Sequence, residues 1–147
     1  MNALRRRRGE RGLASVELVI VGPAFVLFAL LLVFAGRVSV AQQAVASAAG
    51  EAARAASLAR SAGEAQSQAR TWAATSLANQ DVPCRSQTVQ VDTSGFAVAV
   101  GRPAQVSATV VCVVDLRDLA APGILPGSHT VTATMTSPLD TFRERDL

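Results

Sequence analysis

From Leu13 to Ala35 the chain is apolar apart from Ser15 and Glu17. Leu18 to Ala35 alone gives 18 uncharged residues. With the turn before it, this block makes about 30 Å of helix, the width of a bilayer's hydrocarbon core. Arg37 closes its far side. Beyond Arg37 the pattern changes. Val38, Ala41, Val45, Ala48, Ala52, Ala55, Ala59, Ala62 and Ala69 recur near a three-four spacing and line one helix face. Glu51 with Arg54, and Arg60 with Glu64, fall three and four apart on the polar side. Alanine, glutamine, arginine and glutamate are strong helix formers, and no proline interrupts the run. The pattern predicts one helix, continuous or nearly so, from the apolar block to about Leu77, a rod of about 100 Å. Gly50 and Gly63 mark candidate bends, and Trp72 and Leu77 are expected to dock into a globular part.

After Asn79 the period becomes two. Pro83 ends any helix. Thr88 to Val91 reads as a short strand, and Asp92-Thr93-Ser94-Gly95 as a turn. Phe96, Val98 and Val100 alternate, with Gly101-Arg102-Pro103 as a second turn. Gln105 to Leu116 is the strongest strand: Val106, Ala108, Val110, Cys112 and Val114 share a face opposite Gln105, Ser107, Thr109 and Asp115. Leu119 to Gly127 reads as a loop, and Thr130 to Thr136 as a one-faced strand carrying Val131, Ala133 and Met135. Three or four antiparallel strands with one apolar face need a cover, which the end of the alanine helix supplies. The expected fold is α+β: a long N-terminal transmembrane and alanine-rich helix packed on a small 3–4-stranded antiparallel sheet. The expected segments are 1–12, a basic leader; 13–36, a transmembrane helix; 37–79, an extracytoplasmic helix; and 80–147, a β domain.

Composition and charge refine this picture. The 147 residues include five Phe, one Trp and no Tyr, so the soluble part has little large apolar material. The net charge of +3 is unevenly placed. Residues 1–12 hold five arginines against Glu10, and the rest of the chain holds nine arginines against ten acids. A nucleic-acid binder spreads basic charge over a folded face. Here the excess sits beside a membrane segment and reads as topology, with the N-terminus in the cytoplasm and the remainder outside. Cys84 and Cys112 are the only cysteines. In an oxidising compartment disulfides persist, and a bridge closing about 29 residues stabilises by about 3–4 kcal/mol in the chain-entropy model. The alternative is two buried free thiols. Two cysteines and the distant His129 make no metal-ligand set. There is no lysine, and no P-loop, G-x-S-x-G or G-x-G-x-x-G motif appears. No enzyme chemistry, cofactor or metal is expected.

Glu17 is the residue that needs explaining. A carboxylate deep in a bilayer costs about 2.5–3.5 kcal/mol or more. The plain reading is that it lies near the headgroups and snorkels. The junction Arg11-Gly12-Leu13-Ala14-Ser15-Val16-Glu17-Leu18 resembles a type IV prepilin processing site, with a glycine after a basic leader and a glutamate fifth beyond it. The resemblance implies that a prepilin peptidase cuts between Gly12 and Leu13 and leaves the apolar helix in place. Glu17 could then pair with the Leu13 α-amine of a neighbouring subunit, which neutralises a buried charge and sets helix register. The short leader, Ala-Ser-Val-Glu and the Gly22-Pro23 step resemble the TadE-like minor pilins of the tight-adherence (Tad) pilus. The resemblance continues more weakly through Pro126-Gly127-Ser128-His129-Thr130-Val131 to Ser137-Pro138. It departs at Leu18, where TadE-like proteins commonly carry Phe. It implies a pilin-like fold, other pilin and minor pilin subunits and the Tad secretion and assembly machinery as partners, the cytoplasmic membrane as location, and a part in cell adhesion. Pro23 reads as a bend in the helix.

Two other readings stand beside this one. The chain could be an uncleaved single-pass anchor for an extracytoplasmic binding domain. Or the apolar block could be a signal peptide, with release after Ala41 or Ala46. That block is longer than the roughly 7–15 residues a signal peptide needs.

Overall fold

The structure, a computed structural model, describes residues 3–119 and 126–142, with side chains at Val19, from Val21 to Asp118 and from Pro126 to Phe142. Two helices come first, α1 (Ala3–Leu58) and α2 (Ala62–Asn79). Three strands follow, β1 (Cys84–Asp92), β2 (Ala104–Asp115) and β3 (Ser128–Leu139). Short 3-10 turns occupy Ser94–Ala97 and Arg117–Leu119. The fold is the expected α+β arrangement. The chain divides into two compact units, residues 1–37 and 38–147. The first consists of the N-terminal part of α1, which contains Pro23 and runs on from it as helix.

In the second unit the remainder of α1 buries a stripe of small side chains: Ala41, Ala44, Val45, Ala48, Ala49, Ala52, Ala53 and Ala56. Positions three, four, seven and eight apart stack on one side of a helix. Alanine gives little apolar area but lets a neighbouring backbone come close. On α2 the buried positions are Ala65, Ala69, Ala73, Ser76 and Leu77, and this helix packs against β1.

The single helix expected to reach Leu77 is in fact two. At Ser61 the backbone is extended (φ −131°, ψ 158°). Its hydroxyl accepts from the Glu64 N–H at 3.3 Å. The Glu64 carboxylate reaches back to accept from the Arg60 backbone N–H at 3.0 Å. Ser-x-x-Glu is the capping-box pattern, which satisfies donors that a new helix start leaves open. Arg60 and Glu64 therefore meet through the backbone, where a continuous helix predicted an ion pair. Helix propensity favoured continuity, but local capping started a new helix. Of the two glycines expected to mark bends, Gly50 lies within unbroken α1 and Gly63 in the first turn of α2, just past the break.

The end of α2 is equally explicit. Asp81 adopts a positive φ of 51°. Its N–H donates to the Ala78 carbonyl at 3.2 Å, and the Val82 N–H to the Leu77 carbonyl at 3.4 Å. This is the Schellman pair of bonds, which closes off the last carbonyls of a helix.

The sheet has order β1-β2-β3 and is antiparallel throughout. In the central strand Val106, Ala108, Val110, Cys112 and Val114 are all buried, and alternate residues are half-covered or exposed. The expected alternation is present. Val131 and Leu139 of β3 and Val89 of β1 join that inner face. The Ser137 hydroxyl donates to Ser57 Oγ of α1 at 3.0 Å, tying β3 to the helical layer. Cys84 and Cys112 form a disulfide with a Cα–Cα distance of 5.5 Å.

Phe96, Val98 and Val100 do not form a strand. The Asp92 carboxylate accepts from the Ser94 N–H at 2.9 Å, which turns the chain at once into the 3-10 turn. A Cβ on Gly95 would collide with the Gln105 carbonyl oxygen of β2. Only glycine lets the turn lie so close, and this closeness brings Phe96 into the core. Three alternating apolar residues were too short a signal to outweigh that turn.

Candidate functional site

The apolar part of α1 leaves large side chains exposed over its whole described length. Val21, Phe25, Val26, Phe28, Leu31, Leu32 and Val33 are all open to the surroundings. At about 100° per residue, these positions are distributed around the axis and do not form a stripe. A helix that is apolar on every side is stable only within lipid or among other apolar helices. From Val21 the helix is long and apolar enough to cross a membrane. Past Arg37 the all-round pattern gives way to the one-sided alanine stripe.

Gly12, Leu13 and Glu17 lie within the span of α1, and the side chains of Leu13 and Glu17 fall outside the described residues. Pro23 is described and lies inside the helix. The backbone therefore puts the proposed cleavage position, the acid and the apolar stretch on a single helix. Nine residues, about 13 Å of helical rise, separate Glu17 from Val26.

Trp72 does not dock into the core as expected. It is 51% exposed. With Glu51, Arg54, Leu58, Glu64 and Gln68 it lines an open groove of about 390 Å³ beside the helix break. The break turns α2 at a new phase, so Ala65, Ala69, Ala73 and Leu77 take the buried side. Leu77 docks as expected. The Ser-x-x-Glu spacing was the available signal for that change of phase.

A charged cluster caps the end of β2. Arg117 grips Asp115 through Nε and Nη2, at 3.0 and 2.7 Å to Oδ2, and Arg85 stands 3.8 Å away. The Arg117 side-chain and backbone hydrogen bonds draw the Asp115 carboxyl down to about 2, with the positive charges of Arg117 and Arg85 adding to them. Arg117 is shifted up by the same contact. Asp92 is shifted down by its hydrogen bonds with Ser94. These are groups at strand ends, each engaged locally. His129 begins β3 opposite Val114. Among the described residues no group of three His, Cys, Asp or Glu could hold a metal ion.

Residues 12–54 match the family described as TadE-like protein. The match takes in Gly12, Leu13, Glu17 and Pro23, continues into the alanine stripe and ends before the β domain. It does not include the Pro126–Val131 and Ser137-Pro138 segments over which the resemblance was weaker. No curated protein and no solved structure matches the chain.

Proposed function

We propose, on the premise that the N-terminal segment of this chain is TadE-like, that the protein is a membrane-anchored, pilin-like structural or assembly subunit of a Tad-type pilus. The observation that carries this reading is a helix apolar on all sides, headed by Gly12 and by a carboxylate five residues further on. A prepilin peptidase cuts after Gly12 on the cytoplasmic face. Cutting removes the arginines that pin the helix and exposes the Leu13 α-amine. In an assembled bundle that amine pairs with Glu17 of an adjacent subunit. A buried carboxylate left unpaired is strongly unfavourable, so register is enforced. Pro23 bends the helix where neighbouring helices compensate for its missing hydrogen bond.

The N-terminus lies inside and the β domain outside. The Cys84–Cys112 bond supports that topology, because disulfides persist in oxidising compartments. Its partners are the prepilin peptidase, other pilin and minor pilin subunits and the Tad assembly machinery. Its role is structural, not catalytic.

Mass spectrometry of the chain isolated from membranes tests the reading. The mature N-terminus is expected at Leu13. A chain that still begins at Met1 overturns processing and favours an uncleaved, anchored binding protein. Starts at Gln42 or Ser47 favour a secreted domain. Gly12→Phe should block cleavage and leave the longer form. Glu17→Ala should leave cleavage intact and abolish surface assembly.

A further inference from the structure

We propose that copies of this chain join head to tail, with Phe142 and Val100 of one copy filling the groove beside Trp72 of the next. Both surfaces lie in the second compact unit, and the contact does not depend on processing at Gly12. Past Arg37, four of the large apolar side chains left exposed fall in two places. Leu58 and Trp72 line the concave one, a groove walled by the end of α1 and the first half of α2. Val100 and Phe142 make the convex one.

The convex patch is a built projection. Val100 is the second residue of a turn from Ala99 to Arg102, closed by the Arg102 N–H on the Ala99 carbonyl at 3.2 Å. Gly101 takes the next place with a φ of 89°, the left-handed value a type II turn requires there. The Gly101 N–H donates to the Thr141 carbonyl at 2.7 Å. The Asp140 carboxylate accepts from the Phe142 N–H at 3.0 Å. Val100 and Phe142 are the residues flanking that Gly101–Thr141 bond. Phe142 is held in place by its backbone, yet is 86% exposed. Neither side chain lines the groove of its own chain.

Charge and shape select the partner. The groove sets Glu51 and Glu64 against one arginine, Arg54, so it favours an apolar group with a cation beside it. Arg102, exposed and next to Gly101, gives the projection that cation. Asp140, at its base, is opposite in sign to Arg54. The volume of about 390 Å³ falls in the range of sites that enclose small groups, roughly 300–1,000 Å³. A phenyl ring seated between Leu58 and Trp72 takes apolar area of all three out of water. Projection and groove are different surfaces, so the contact is heterologous and each copy keeps one of each for its neighbours. No two-fold axis relates the copies, and their α1 helices can enter one membrane in the same sense.

Trp72 is the only tryptophan, so its emission reports on the groove. With the full chain in detergent, raising the concentration should shift that emission to the blue while light scattering shows mass growing past a dimer. Phe142→Ser should remove both changes and leave the melting temperature as it was. Arg102→Glu and Glu51→Arg should each weaken association roughly tenfold, and the two combined should restore it. Glu51 is the partner to swap because the Glu64 carboxylate already accepts from the Arg60 N–H. A benzophenone amino acid at position 142, in a mixture of isotope-labelled and unlabelled chains, should link labelled to unlabelled chains within residues 51–72. Mass and emission that ignore concentration or Phe142→Ser would overturn the proposal. So would additive losses in the charge swap, links confined to one chain, or capture of a different protein with no self-linking.

Discussion

Gly95 and Asp115 illustrate how single side chains are fixed in this protein by opposite means. At Gly95 the constraint is steric. The backbone of Gln105 occupies the space a Cβ would need, so Gly95→Ala must push the 3-10 turn off β2 and loosen Phe96. Overpacking of this kind costs about 1–3 kcal/mol, and chemical denaturation of the full chain in detergent should show that loss. At Asp115 the constraint is electrostatic. Its carboxyl titrates near 2 in the folded chain and near about 3.9 when unfolded. The folded value is the lower, so the carboxylate's contribution is complete above the unfolded value and fades as pH falls toward 2. The side chain is 26% exposed, and pairs this accessible are weak. Asp115→Asn should therefore lower the melting temperature slightly at pH 7, and the gap to the parent chain should close as the solution is acidified through that window.

The elements show which local signals dominate. α1 and α2 are built from the same alanine-rich composition, yet a three-residue interruption separates them. The decisive groups are the Ser61 hydroxyl and the Glu64 carboxylate. Ser61→Ala should cost about 1 kcal/mol, as loss of an N-cap typically does, visible as a lower denaturation midpoint with helix content largely retained. The alanine stripe was legible because a 3.6-residue period repeats over many turns. β2 was legible because five alternating residues agree. The Phe96–Val100 segment was misread because three residues satisfy a period of two by chance, while the Asp92–Ser94 hydrogen bond and the close approach at Gly95 depend on a strand nine residues further on. Trp72 was expected to dock on its size alone, and size does not set the face a residue takes; Ala65, Ala69, Ala73 and Leu77 hold the buried side of α2 and leave it exposed.

For the whole molecule, the thin core gives the disulfide its weight. The buried stripe of α1 is almost all alanine, and each alanine removes little apolar area from water. Cys84 and Cys112, 28 positions apart, restrict the unfolded chain, and reduction or the double Cys→Ser variant should lower unfolding free energy by about 3–4 kcal/mol. A denaturation series with and without reductant measures it. By itself the sequence determined the apolar helix, the alanine stripe and the one-faced central strand. Those features rest on periodicity, charge and chain-local chemistry, which need no knowledge of distant contacts. Only the tertiary structure decided that Gly95 must lie against Gln105 and that β2 takes the centre of the sheet, between β1 and β3. Each of these depends on what another segment places alongside, and packing between segments remote in sequence leaves no period to read.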